Sequence, residues 1–235
     1  MRINKYLALS GVGSRRGVEE IINDKRVKVN GVLVTNLATD IKEDDVVTVD
    51  GRSVLPDESF VYLMLYKPKG YVTTAKDEHG RKTVLDLIPK EFKDKRLYPV
   101  GRLDYDTVGL LILTNDGALT QKLTHPSSNV VKVYEAKLAR AITKGDLDKI
   151  KKGVKYKEEV YAPCEAELVK NNEGEWRVRV SITEGKNHQV KNMFLAVGHE
   201  VVFLKRTQIG KLILSGLDRG ECRLLSGREV KLLKG

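Results

Sequence analysis

Asp104 stands in GRLDYDTVGLLILTNDG, residues 101–117, two positions after Arg102 and shortly before the unbroken apolar run Leu110–Leu113. If this segment is extended, alternate residues share a face, so Arg102, Asp104 and Asp106 would lie together on one side, ahead of a buried strand. A carboxylate against such an apolar wall needs a cationic partner to keep its charge. Once charged in a cleft, it is a nucleophile or a base. The plain alternative is a turn acid beside a strand, and these residues alone leave the two readings open. Asp106 is the local rival for any chemical role.

Two later segments carry candidates of the same kind. Tyr134 lies in KVYEAKL, inside a strand predicted over Val130–Leu138, with Val131 and Val133 on the other face, so its ring need not belong to the same apolar layer. EGKNHQVKNMFLAVG, residues 184–198, contains a predicted helix His188–Ala196 that carries Lys191. On its own Lys191 reads as an exposed helix lysine. His188 is the histidine nearest a motif and is given no acid–base role, while His79, His125 and His199 read as surface or turn residues.

These three segments, in this order, resemble the pseudouridine synthases that modify ribosomal RNA, whose leading motif is roughly GRLDxxTxGLLLLTNDG. With the N-terminal segment, the similarity covers nearly the whole chain. The resemblance implies an isomerase that breaks the bond between a uracil nitrogen and the ribose, turns the base and rejoins it through carbon 5. It implies neither cofactor nor metal, in keeping with a sequence that lacks a Gly-rich phosphate loop, a metal-ligand cluster or a dinucleotide fingerprint. It places the essential acid at Asp104, attacking the ribose, acting on the base or assisting elimination, with Lys191 as its cationic partner. Tyr134 would stack on the target base, a contact worth roughly 1–3 kcal/mol for a nucleotide everted from its helix. Arg102 would contact phosphate or fill the vacated space, and Lys186, His188 and Gln189 would hold RNA near the cleft. The turn Lys67-Pro68-Lys69-Gly70 resembles a family element at the cleft edge. Within the family, HQVKNMF is most similar to the branch named ribosomal small-subunit pseudouridine synthase A, which has HQVKRMF. No long basic tail follows Leu233, and both features point to 16S rRNA or a small-subunit assembly intermediate. Asn192 and Lys186 depart from the pattern, and a 23S target or a noncatalytic assembly factor are the alternatives.

These residues need elements to position them. Ile3, Tyr6 and Leu7 keep helical spacing up to Gly11, and Ser14 can cap a second helix through Val18, Ile21 and Ile22. Val27 and Val29, then Asn30-Gly31, then Val32 and Val34 give a hairpin signal, followed by Val46, Val47 and Val49 running into Asp50-Gly51. This order resembles the RNA-binding domain first named from ribosomal protein S4. Residues 1–28 hold seven basic and three acidic side chains, a local 7 − 3 = +4, so Lys5, Arg15 and Arg16 are candidates for phosphate contact or simply a solvated helix face. The expected division is an S4-type domain over 1–58 and a catalytic domain over 59–235, joined by a short linker at Pro56–Phe60. In the second domain strands at Val61–Tyr66 and Tyr71–Thr74 form a hairpin-like signal. Further strands are read at Glu165–Val169, Trp176–Thr183 and Val201–Arg206, with helices at Ala118–Leu123 and Thr143–Lys151. Turns outnumber crossovers, which predicts an α+β fold with a mainly antiparallel sheet.

Composition narrows the partner. The 235 residues carry 42 Lys and Arg against 32 Asp and Glu, or +10. The charge is concentrated in residues 61–235, where 33 − 22 gives +11 against 9 − 10 = −1 for the first 60. Such an excess favours a polyanion. Cys164 and Cys222 are isolated, and no apolar run approaches membrane length. The expectation is a soluble, monomeric protein of the reducing cytoplasm, with no membrane partner.

Overall fold

A computed structural model of the chain describes residues 1–57, 59–169 and 175–235. It divides into two compact units, Met1–Phe60 and Val61–Gly235. The expected linker at 56–60 includes Glu58, which lies outside the described residues.

In the first unit, helices α1 (Ile3–Leu9) and α2 (Gly17–Asn23) precede strands β1 (Val27–Val29), β2 (Val32–Leu33), β3 (Val47–Val49) and β4 (Arg52–Ser53). Ser14 Oγ accepts the Gly17 amide at 2.8 Å and so opens α2. The sheet order is β2-β1-β3-β4. Both hairpin turns use positive φ at both central positions: +49° and +80° at Asn30-Gly31, +51° and +78° at Asp50-Gly51. That requirement is why Asn or Asp followed by Gly stands at each. Ile3, Tyr6, Leu7, Val18, Ile22, Val27, Val47 and Val49 close one core.

The second unit is built on a nine-stranded sheet. Its strands are β5 (Tyr62–Lys67), β6 (Tyr98–Pro99), β7 (Val108–Thr114), β8 (Lys132–Leu138), β11 (Glu165–Val169), β12 (Arg177–Ile182), β13 (Val201–Ile209), β14 (Leu212–Ile213) and β15 (Cys222–Leu224), while β9 (Val154–Tyr156) and β10 (Glu159–Tyr161) pair separately. The main path is β11-β12-β8-β13-β7-β5-β15, with β14 on β13 and β6 on β7. Every pairing is antiparallel except β13 with β7.

Every residue of β7 is buried. Leu111 and Leu113 join Leu63, Leu65, Ala136 and Val180 in one core; Leu110 and Ile112 join Met64, Val100, Leu119 and Ile209 in another. A strand covered on both faces explains the continuous apolar run. Helix α5 (Gln189–Ala196) packs Val190, Met193 and Phe194 into the first core. α3 (Gly117–Thr124) and α6 (Gly227–Lys234) close the second with Leu119, Leu123 and Leu233. Thr143 caps α4 (Lys144–Lys152) by accepting the Asp146 amide, and donates its own hydroxyl to the Asp146 carboxylate.

Two expectations fail, and one open alternative closes. Residues 71–74 form no strand: Val72 makes a single bridge to Thr83, and Thr73 Oγ1 donates to the Leu103 carbonyl at 2.7 Å, drawing the chain toward the Asp104 loop. The stretch 100–107 is also not extended, since the Thr107 amide closes a turn on the Asp104 carbonyl at 3.1 Å. His199 is 4% exposed, not a surface residue, with Nε2 3.5 Å from Asp146 Oδ2.

The parallel pair β7–β13 depends on Gly109. At φ +119° a Cβ there would lie 2.2 Å from the Arg206 carbonyl oxygen and 2.6 Å from its amide nitrogen. Gly109→Ala is therefore expected to destabilise the protein by about 3 kcal/mol or more. An unchanged urea midpoint for this variant would show that the two strands tolerate separation.

Candidate active site

The loop carrying Asp104 is held from beneath by the chain just after β5. Lys67 is fully buried, and its ammonium donates to the carbonyls of Pro68 at 3.1 Å, Asp104 at 2.9 Å and Thr107 at 2.9 Å. Three N–H bonds meet three acceptors. Nearby, the Gly70 amide donates to the Tyr105 carbonyl at 2.9 Å, and the Leu103 amide to Thr73 Oγ1 at 3.3 Å. The Lys67–Gly70 turn is thus a clamp on the loop at both ends.

Across from the loop, α5 begins at His188, which caps it in the left-handed region at φ +50°. One turn into the helix, Lys191 Nζ lies 3.3 Å from Asp104 Oδ2 and 2.5 Å from Asp106 Oδ1. Lys191 therefore serves both acids, and the closer is Asp106. The two differ in setting: the Asp104 side chain is 29% exposed and that of Asp106 61%. For Asp106, burial raises the carboxyl, but the hydrogen bond and charge of Lys191 outweigh it and hold the group below its usual range. His188 Nε2 stands 3.7 Å from Asp104 Oδ1, and Thr107 Oγ1 3.5 Å from Oδ2.

Asp104 borders a cavity of about 690 Å³ whose wall includes Arg102, Tyr134, Lys186, His188 and Gln189. Asp106 and Lys191 are not part of that wall, so of the two acids only Asp104 faces the space. Tyr134 is 8% exposed and belongs to the first core, which resolves a point that its strand position left open.

Residues 61–196 match the family model described as RNA pseudouridylate synthase, and residues 1–47 match the S4 domain. The chain belongs to the RNA pseudouridylate synthase family. It is 43% identical to the ribosomal large subunit pseudouridine synthase B of Bacillus subtilis (strain 168), over 99% of this chain and 95% of that protein. It is likewise 43% identical to an uncharacterized RNA pseudouridine synthase of Aquifex aeolicus (strain VF5), over 100% and 96%. A crystal structure of a pseudouridylate synthase superposes with a TM-score of 0.71 at 30% identity, covering 99% of each chain.

RNA pseudouridine synthases are isomerases, and the catalytic unit of this one has the family's α+β architecture. The remaining candidates differ in how free they are. Arg102 is exposed. Lys186 is engaged with the Val160 carbonyl at 2.7 Å and Glu159 at 3.3 Å. Gln189 is buried, donating to Glu184 at 2.9 Å and accepting the Lys186 amide at 3.1 Å. In the S4 unit Lys5, Arg15 and Arg16 are exposed, whereas Arg26 is paired with Asp50 at 2.6 Å and Arg2 with Asp40 at 3.4 Å. Among the described residues no group of three or more His, Cys, Asp and Glu is placed to hold a metal ion.

Two cations at the site have roles that the sequence reading missed: Lys67, placed there only in a turn at the cleft edge, and Arg206. Lys67 gave a visible signal, a lysine ending an apolar strand before Pro68. Arg206 gave a subtler one: it shares the strand register of buried Leu204, an arginine where an apolar residue belongs.

Burial pushes the Lys67 ammonium from its ordinary 10.5 down to about 8, against the pull of Asp104 and Asp106, with Arg206 and Lys191 adding to the fall. Because the folded value is the lower one, the unfolded chain holds the proton more tightly between these limits, and stability rises with pH across that window. Wild type should therefore gain stability relative to Lys67→Met between pH about 7.5 and 10, measured by urea unfolding. The same substitution frees the loop and should slow pseudouridine formation about 100-fold at neutral pH. A stability difference that is flat with pH would remove the buried charge from the account.

Proposed function

We propose that this enzyme isomerises one uridine of ribosomal RNA, with Asp104 as the catalytic carboxylate, and that the target lies in 23S rRNA. The observation that carries the site assignment is the contrast between two acids sharing one ammonium: Asp104 borders the cavity and Asp106 does not. Lys191 supplies the counter-charge from behind. The target uridine, everted from its helix, enters the cavity, where Tyr134 contacts the base. Arg102, exposed at the rim, meets RNA phosphate. Lys186 and Gln189 shape the wall through their bonds to Glu159, Glu184 and Val160, and His188 adds a polar edge beside Asp104. The division at 1–58 and 59–235 assigns Lys5, Arg15 and Arg16 to an S4-type RNA-binding domain that adds phosphate contacts.

The 23S reading is favoured by 43% identity, over nearly the full length of both chains, with a protein named for the large subunit. The 16S reading is supported by the similarity of HQVKNMF to the small-subunit branch. Comparing pseudouridine maps of 16S and 23S rRNA from cells with and without the protein decides between them: the missing site names the target.

Two variants test the assignments. Asp104→Asn keeps size and removes charge, so it should abolish product while RNA affinity stays within a few-fold; a variant as active as wild type overturns the role. Deleting residues 1–58 should weaken RNA binding and leave residues 59–235 folded by circular dichroism. If that fragment unfolds, the boundary is misplaced.

A further inference from the structure

Arg206 borders the same cavity, and none of the roles above uses it. It is 3% exposed, and its Nε donates to the Leu110 carbonyl at 2.8 Å. Nη2 is fully buried with no partner, and neither terminal nitrogen has an acceptor among the described residues. Of the five N–H donors of a guanidinium, one is met by Leu110 and the two on Nη2 are buried and unmet. Unpaired buried donors are rare because each costs the desolvation that a hydrogen bond would have returned. Among the described residues no carboxylate pairs with this one. Its charge instead adds to the effect of burial in depressing Lys67 and Lys132, and Lys132 also lines the cavity. A buried guanidinium with free donors and no carboxylate partner, on the wall of a cavity, is built for an oxygen ligand.

Its place in the sheet says which oxygen. Arg206 on β13 is the register partner of Tyr134 on β8. Directly opposed antiparallel residues project to the same face with Cβ atoms about 4.5–5.5 Å apart. The backbone of Arg206 is fixed on its other side by the close approach of Gly109. A base lying against Tyr134 would therefore have the Arg206 guanidinium beside it.

We infer that Arg206 is a catalytic residue whose free N–H groups donate to a carbonyl oxygen of the everted uracil and hold the negative charge the ring acquires. This rests on the cavity being the seat of the target uridine. When the bond between the ribose C1′ and N1 breaks, its electron pair stays with the ring and spreads over N1, O2 and O4. Later C5 bonds to C1′, C5 releases its proton and N1 takes one, so no outside oxidant or reductant enters. If Asp104 adds to the ring instead, charge again collects on a carbonyl oxygen. A fixed donor at that oxygen favours either route. A phosphate is the other oxygen ligand of arginine, but a nearly buried guanidinium is better reached by a planar ring than by a backbone that must run back into the RNA.

The test uses single-turnover pseudouridine formation on a synthetic RNA carrying the mapped target as uridine, 2-thiouridine or 4-thiouridine, or with a methylphosphonate at the flanking phosphate. Arg206→Met should slow the uridine reaction about 100-fold or more, with RNA affinity within a few-fold. The ratio of wild-type to variant rate should collapse on one of the thio-substituted RNAs, sulfur being the weaker acceptor, and persist on the methylphosphonate. A ratio that persists on both thio RNAs, or collapses on the methylphosphonate, overturns the inference. Should Arg206→Met fail to fold, wild type decides alone: marked slowing on one thio RNA supports the contact, and equal rates on all three overturn it. No product from wild type on the uridine RNA would instead overturn the proposed function itself.

Discussion

A buried ammonium holds the Asp104 loop in place. Among the described residues Lys67 has no side-chain counter-ion in hydrogen-bond contact; it is satisfied by three backbone carbonyls, two of them belonging to the loop that presents Asp104. Burying a charge in this way is costly, and the fall of its pKa records the cost. The return is geometric. A loop between two turns, which would otherwise sample many conformations, is tied at Asp104 and Thr107 to the rigid end of β5, and a side chain set on such a base can be placed to the fraction of an ångström that catalysis requires.

The sheet extends this constraint to the rest of the site. β7 begins where the loop ends and is covered on both faces, so the loop leads directly into the most buried strand of the unit. Its parallel neighbour β13 brings Arg206, the next strand β8 brings Tyr134, and α5, packed on the same core, brings Lys191. Gly109, the last residue of GRLDYDTVG, is what lets β7 and β13 approach.

Much of this was legible in the sequence, for physical reasons that differ by element. Asn30-Gly31 and Asp50-Gly51 could be read because positive φ at two successive residues leaves few other choices. The helices α3, α4 and α5 could be read from local caps and spacing. The loop at 100–107 could not, because alternation of Arg102, Asp104 and Asp106 suits a strand as well as a turn, and the turn is imposed by Lys67, 37 positions earlier than Asp104. The supposed strand at 71–74 failed for the same reason, its hydrogen bonds being taken by Lys82, Val84 and Leu103. Helix α6 had a local signal that went unread, since Ser226 and Glu229 form a capping box. The pairing of Lys191 with Asp104 was legible only as a family expectation, and its closer contact with Asp106 not at all: no spacing rule links residues that far apart.

The separation along the chain has a consequence for how the enzyme comes into being. Lys191 and Arg206 follow Asp104 by 191 − 104 = 87 and 206 − 104 = 102 residues, whereas the helices and hairpins of the S4 unit are complete before residue 60. During synthesis the RNA-gripping part can fold while the carboxylate still lacks both cations. With the site assigned as proposed, a nascent chain, made within reach of ribosomal RNA, stays chemically silent until β13 has emerged and closed against β7.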